Sequence, residues 1–225
     1  MRLPPPTLSE NAYFDIRNRI MRGDYPMRTP MIEENLSGLL GISRTPVRAA
    51  LGRLLSEGFL VQGEDRTLRI PTISRKDLSD TFEVRRTIES AVAQLACLRA
   101  RHEQIDKLES LIWSEREAYH NREQAMIAAV DRMFHNLLAE MSGNPLYHEF
   151  VERINYRVSL FLALSNTLGE AVREALEEHE LILETIRRGD PGAGSQSMLK
   201  HLSRVEERII VRLEAASGSK DRMAS

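Results

Sequence analysis

Apolar residues recur at helical spacing along nearly the whole chain, and the interruptions divide the pattern into two parts. From Leu8, apolar positions fall at Leu8, Ala12, Tyr13, Ile16 and Ile20, which predicts a helix ending near Gly23. "GDYPMRTP" reads as turns. A short helix follows, with Leu36, Leu39 and Leu40 on one side and Gly41 as its stop. The next, "ISRTPVRAALGRLLSEGF", opens at Ser43, a good N-cap, and closes at Gly58. Pro46 lies in its first turn, where a missing N–H costs nothing. Val47, Leu51, Leu54 and Leu55 form its apolar stripe. Two β-prone runs, "FLVQ" and "TLRIPT", flank the polar tip "GEDR", which is a hairpin signal. Three helices and a hairpin over residues 8–73 make a winged helix-turn-helix pattern.

Pro71 and the polar "SRKD" mark a boundary near residue 74. Beyond it there is no strand signal. Helices are expected at 76–101, 103–121, 123–142, 145–166, 169–189 and 194–215, broken by "SGNP", "NTLG" and "GDPGAG". Six helices with short connections make an antiparallel bundle over 76–215. The expected class is therefore mostly α, a winged helix-turn-helix followed by an all-α six-helix bundle. The Pro-rich residues 1–7 and a tail over 216–225 are expected to be unordered.

Composition refines this only slightly. Formal net charge is −2, so the chain as a whole is no obvious polyanion binder. The charge is uneven: residues 1–73 hold ten basic and eight acidic residues, and the rest holds 21 and 25. Cys97 is the one cysteine, which excludes an intramolecular disulfide and points to a reducing, cytoplasmic setting with Cys97 as a small core residue. "MRLPPPTLSE" has no apolar stretch of the kind a secretory signal needs. No apolar run approaches the ~20 residues of a membrane span.

Candidate chemistry begins on the helix opened by Ser43. Arg44, Thr45, Arg48 and Gly52 lie on a different arc from its apolar stripe, at the N-terminal end. A recognition helix needs that arrangement, because its first turns meet base edges in the major groove. An arginine fork pairs with guanine O6 and N7, and Thr45 can reach a phosphate or a thymine methyl. Arg66, at the hairpin tip, can reach a phosphate or the minor groove. The bland alternative is a solvated face carrying two arginines; the three-helix-plus-hairpin context favours DNA.

The six histidines lie between residues 102 and 201. Asp131 and His135 in "DRMFH" are four apart, so a helix stacks them on one face. His179 and His201 sit in strongly periodic stretches, "EEHELILETIRRGD" and "MLKHLSRVEERI". A lone helical histidine is more often a surface or satisfied core residue than a ligand. Three helices that pool such residues would make a metal site, and imidazole with carboxylate suits Zn²⁺, Ni²⁺, Mn²⁺ or Fe²⁺ without choosing among them. Spacing alone does not bring the residues together.

"ENLSGLLGISRTPVRAALGRLLSEGFL" (34–60) resembles the DNA-binding segment of GntR-type transcription regulators, with "SRTPVR" as its specific signature, and the similarity runs from Tyr13 to Ile73. The resemblance implies a homodimer on a pseudo-palindromic double-stranded operator. By position it assigns base and phosphate contacts to Arg44, Thr45 and Arg48; Ser43 and Arg66 complete the candidate DNA-contacting set. Two positions depart from the family pattern: Met27 and Thr67 stand where glycine is usual. Residues 76–215 are similar to the FCD effector domain of the FadR branch, through "FEVRRTIESAVAQLA", "DRMFHNLLAEMSGNPL", "EEHELILETIRRGD" and "MLKHL".

In metal-containing members an Asp and three His hold the ion, at positions matching Asp131, His135, His179 and His201. The implied cofactor is a divalent transition metal, zinc foremost, with nickel, manganese or iron left open. Unfilled coordination positions would admit a small carboxylate effector. Arg85 matches the arginine of the family's "VR" element and is the candidate to grip that carboxylate, against the alternative of an i,i+4 salt bridge to Glu89. Asn144 is a second effector candidate, against an ordinary turn role. Arg153 and Arg157 are weaker ones. His102, His120 and His148 read as surface residues, and Trp113 and the methionines as core. The expected function is a cytoplasmic repressor whose DNA affinity an organic acid controls. A metal-dependent enzyme, a regulator with a purely structural metal and an acyl-CoA-responsive regulator are the alternatives. The last is disfavoured because a metal-filled bundle leaves little room for a long acyl chain.

Overall fold

The first apolar pattern forms α1 (Leu8–Met21) in a computed structural model that describes residues 6–165 and 172–223. Thr7, expected to belong to the unordered start, instead caps this helix. Its hydroxyl accepts from the Glu10 N–H at 3.2 Å and its own N–H donates to the Glu10 carboxylate at 2.7 Å. α2 (Glu33–Leu40) ends at Gly41, whose φ of 65° is the left-handed conformation that glycine adopts without strain. Leu36 is buried on α2, but Leu39 is 53% exposed and does not share its side as expected. Leu36 and Leu40 are nearly eclipsed along a helix, whereas Leu39 lies roughly 100° round from Leu40.

α3 (Arg44–Ser56) buries Val47, Ala50, Leu51 and Leu54, with Leu55 half-buried. Ser43 occupies its N-cap position without a capping bond from its hydroxyl. Tyr13 locks α1 to α3. Its ring is buried, its hydroxyl donates to Glu57 at 2.5 Å, and the Arg53 guanidinium lies 3.8 Å from the ring centre.

The hairpin is β1 (Val61–Gln62) paired antiparallel with β2 (Leu68–Arg69), in the register Val61 to Arg69 and Gln62 to Leu68. The stretch read as turns contributes a third run. The Met31 N–H donates to the Leu68 carbonyl at 2.8 Å and the Ile70 N–H to the Thr29 carbonyl at 3.0 Å. Pro30 has no N–H to donate, so it breaks the pattern by which a strand is recognised in sequence. Arg28 (φ 70°) and Arg66 (φ 60°) are left-handed, each adjacent to one of the two positions that depart from the family's glycines.

The chain divides after Ile73 into two compact units. In the second, all six expected helices form: α4 (Arg75–Arg99), α5 (His102–His120), α6 (Gln124–Met141), α7 (Pro145–Leu164), α8 (Val172–Arg187) and α9 (Pro191–Met223). The expected "NTLG" break lies outside the described residues. α9 starts at Pro191 rather than 194, because the Asp190 carboxylate accepts from the Ala193 N–H at 3.0 Å and proline suits a first helical turn. It also continues to Met223, into the segment expected to be an unordered tail, where no proline interrupts it.

α4 runs along α9 and touches α6, α7 and α8, while α5 packs against α6 and α8. Cys97 is buried, as expected. Trp113 is not core: it is 60% exposed on α5, because the buried face of that helix runs through Leu108, Leu111, Ile112 and Glu115. The methionines divide, with Met21, Met31, Met141 and Met198 buried and Met126 and Met133 exposed.

α4 and α9 approach closely at Gly194, where a Cβ would stand 2.5 Å from the Cys97 sulfur. Gly194→Ala should therefore destabilise by ~1–3 kcal/mol despite the better helix propensity of alanine. In a Cys97→Ala background that loss should disappear. Urea unfolding of the four proteins checks this, and an equal loss in both backgrounds would refute the contact.

Candidate metal centre and nucleic-acid interface

The buried stripe of α4 passes through Leu78, Phe82, Arg85, Glu89, Val92, Ala93 and Ala96, so it carries two charges into the bundle. α5, α6, α8 and α9 also bury ionisable side chains. α5 buries Glu115 beside Leu111 and Ala118, α8 buries Glu178 and His179 beside Leu176 and Ile182, and α9 buries His201 beside Met198, Leu202 and Val205. His135 is buried on α6 beside Phe134 and Leu138. Unpaired charges at such depth cost several kcal/mol each, so their partners decide whether the arrangement stands.

The partners form one system. The Nδ1 atoms of His135, His179 and His201 lie 2.5, 2.9 and 2.8 Å from carboxylate oxygens of Glu89, Glu115 and Glu178 respectively. An ionised carboxylate only accepts, so each Nδ1 carries the proton and each Nε2 of a neutral ring presents a lone pair. All three Nε2 atoms are buried and have no hydrogen-bond partner among the described residues. The ligand-capable nitrogens of the three rings lie within 4.8 Å of one another. Asp131 Oδ1 stands 3.9 Å from His135 Nε2 and 3.8 Å from His179 Nε2. Those gaps are too long for hydrogen bonds, and they suit donor atoms that share a cation through bonds of about 2.0–2.2 Å. The Phe134 ring stacks on His179 at 4.0 Å and helps fix its plane.

The electrostatics differ from ring to ring. Burial, reinforced by the two neighbouring imidazoles, pushes His201 down to about 3 against the pull of Glu178, so the ring is neutral at neutral pH. Burial would lower His179 too, but Glu115, Asp131 and Glu178 outweigh it and raise the value. Burial would raise Asp131, but His135, His179 and Arg85 hold it below the usual carboxylate range. Glu89 lies at about 2 because Arg85 and His135 overcome its burial. Glu178 also lies at about 2, held by His201 and by Arg208, whose guanidinium contacts it at 3.0 and 3.1 Å. The Nε2 lone pairs of neutral imidazoles and an ionised carboxylate are a donor set for a divalent transition metal, whose charge would displace the proton that the acidic neighbours of His179 favour, so Asp131, His135, His179 and His201 fit such an ion.

Arg85 makes the i,i+4 salt bridge to Glu89, the alternative reading for it. Its Nε donates to Glu89, and its Nη2 is buried without a partner among the described residues. Asn144 takes the turn role: its side-chain oxygen accepts from the Leu146 N–H at 3.0 Å as the N-cap of α7. That commits its oxygen to the backbone. Arg153 pairs with Glu149 at 3.0 Å and Arg157 with Asp77 at 3.2 Å, both on the surface. His102 and His120 are exposed and His148 is half-buried. Glu89, Glu115 and Glu178 were not singled out from the sequence as part of the site. Their signal was present, since each falls on the apolar stripe of its own helix.

On the other unit, Ser43, Arg44, Thr45 and Arg48 are exposed together at the start of α3, and Arg66 is exposed at the hairpin tip. Arg48 donates from Nε and Nη2 to the two oxygens of Glu33, both at 2.8 Å. Arg44 donates from Nη2 to Glu34 at 2.7 Å. Sequence reasoning had also passed over these two glutamates of α2.

Two family models match the chain: "Bacterial regulatory proteins, gntR family" over residues 8–66, and "FCD domain" over residues 80–204. The transcriptional regulator YdhC of Bacillus subtilis is 26% identical over 193 residues, covering 85% of this chain and 86% of its own. The transcriptional repressor RspR of Escherichia coli is 24% identical over 206 residues, covering 92% and 90%. In fold, the chain is similar to E. coli McbR/YncC, with a TM-score of 0.74 at 21% identity over 94% of this chain and 100% of that one.

The buried carboxylates generate a pH prediction for protein kept in chelator. Their folded values of about 2 lie below the ordinary 4.5, so their contribution is complete above about pH 5 and is lost as pH falls from 4.5 towards 2. Glu178→Gln should remove one proton from that transition, up to ~1.4 kcal/mol per pH unit of slope. Urea midpoints between pH 5 and 2.5 read the slope; an unchanged slope would show that Glu178 is not held ionised by its partners.

Proposed function

This chain belongs to the gntR family of bacterial regulatory proteins and carries an FCD domain, and from that premise we propose that it is a homodimeric, metal-containing repressor released from its operator by a small organic acid. The observation that carries the effector half is the cluster of three buried Nε2 lone pairs facing Asp131, with the unpartnered Nη2 of buried Arg85 on a neighbouring stripe. Asp131, His135, His179 and His201 would hold a divalent metal, zinc foremost. When bound, that ion supplies Lewis acidity and open coordination positions for a carboxylate. Glu89, Glu115 and Glu178 fix the tautomer and orientation of the three rings. Arg85 grips the acid through its free nitrogen while Glu89 holds its other edge.

The DNA half rests on the exposed start of α3. Two copies of the helix from Ser43 would enter successive major grooves of a pseudo-palindromic operator. Arg44 and Arg48 meet base edges or phosphates, Thr45 and Ser43 offer hydroxyls to phosphate, and Arg66 reaches the backbone from the hairpin tip. The family and the relatives are transcription regulators rather than enzymes. No helix among the described residues is long and apolar enough to cross a membrane.

The deciding experiment is thermal melting of zinc-loaded protein against a panel of small carboxylates, with and without chelator. One acid should raise the midpoint only when zinc is present, by ~2.7 kcal/mol of stabilisation at a hundredfold excess over its Kd. If chelator lowers the midpoint and no acid raises it, the metal is structural and the sensing role fails. In the same preparation, His179→Ala should lose most of its metal by elemental analysis, and full occupancy would remove His179 from the site. For the DNA half, Arg48→Ala should weaken binding to a selected operator ten- to hundredfold with the fold intact, as measured by electrophoretic mobility shift. Undiminished binding would sink the recognition-helix assignment.

A further inference from the structure

The arginine that the proposed function sends to the bases is already held by a carboxylate. A guanidinium offers two forks of N–H donors: a side edge, from Nε and Nη2, and an end edge, from Nη1 and Nη2. Glu33 occupies the side edge of Arg48, with both contacts at 2.8 Å, across fifteen residues from α2 to α3. The end edge is left facing solvent on a side chain that is 73% exposed. Arg44 is held differently, through a single Nη2 contact to Glu34 at 2.7 Å, on a glutamate that is itself 71% exposed. Glu33 is more enclosed, at 33%, and sits in the first turn of a helix anchored by buried Leu36.

We propose that Glu33 is a specificity-determining residue, which buttresses Arg48 so that its end edge reads guanine O6 and N7. This rests on the recognition-helix reading given above. Two effects act in the same direction. A guanidinium fixed on one edge loses less side-chain freedom when its other edge pairs with a base. Its positive charge is also already offset by a carboxylate, so it gains less from an arbitrary phosphate. A purely anchoring role for the pair would alter stability and leave base preference untouched. A carboxylate that merely repelled DNA would weaken all duplexes alike.

The test uses two duplexes: one selected by the wild-type protein from a random library, and a shuffled sequence of equal length. Binding of wild type, Glu33→Gln, Glu34→Gln and Arg48→Ala is measured to both at fixed salt, with thermal midpoints recorded as a fold control. Glu33→Gln should tighten binding to the shuffled duplex and lower the ratio of specific to non-specific affinity by about tenfold. Repeating the library selection with Glu33→Gln should relax the base preference at a guanine that Arg48→Ala also relaxes. Glu34→Gln should raise both affinities with the ratio little changed. If Glu33→Gln raises both affinities equally and selects the same sequence, Glu33 is only a surface charge and the inference fails. If Arg48→Ala itself leaves the ratio unchanged, it is the recognition-helix reading that fails.

Discussion

The second unit is governed by the cost of placing imidazoles and carboxylates in an apolar bundle. His135, His179 and His201 are all essentially inaccessible to solvent, as are Arg85, Glu89 and Glu115. None of these groups is tolerable there alone. Each imidazole is tied through Nδ1 to a glutamate, and two of those glutamates are tied onward, Glu89 to Arg85 and Glu178 to Arg204 and Arg208. The outward side of every ring is thereby satisfied and the inward Nε2 is left without a hydrogen-bond partner among the described residues. A core assembled only for stability would place apolar side chains at these positions, because well-packed hydrophobes commonly replace buried ion networks without loss. The network is therefore best understood as a device that presents unshared electron pairs inward, at a cost to stability that the rest of the bundle offsets.

The helices that carry the network also pack tightly elsewhere along their length. α4 and α9 carry Glu89 and His201, and they approach so closely at Gly194 that no side chain fits against Cys97. A ring donor displaced by an ångström would no longer converge with its neighbours, so the register of these helices is part of the cluster's geometry. Phe134 contributes in the same way, since its stacking on His179 fixes a ring that one hydrogen bond would leave free to swing.

Much of this was legible beforehand, and the exceptions have physical reasons. The order and approximate ends of the helices followed from period and punctuation, because Gly41 and Pro145 act locally. Asp131 and His135 could be paired from spacing because one helix carries both. Bringing them to His179 and His201 needed the resemblance, since no local rule says which helix faces which. Glu89 was named only as a partner for Arg85, and Glu115 and Glu178 escaped, because a charge on an apolar stripe reads as an imperfection of the stripe until its partner is known. Trp113 was misjudged from residue type, although the phase of Leu108, Leu111 and Ile112 leaves it outside the buried face of α5. The pairing of residues 28–31 with β2 was hidden by Pro30 and by the shortness of the segment.

The two units solve opposite problems with the same interaction. In the bundle, glutamates neutralise the outer edges of buried cationic and imidazole groups so that their inner atoms stay available. At the start of α3, Glu33 occupies one edge of exposed Arg48 in the same way, while Glu34 makes a single contact to Arg44. In both places a carboxylate removes a group's general attraction for its surroundings and leaves one directed valence. A regulator needs that economy twice over. A ligand that controls a regulator must distinguish two states of the protein, because a ligand of equal affinity for both shifts nothing. The regulator's DNA-binding unit must distinguish one sequence from a vast excess of others that present the same phosphates. Selectivity of either kind is a difference between affinities, and it grows when the part common to all partners is suppressed.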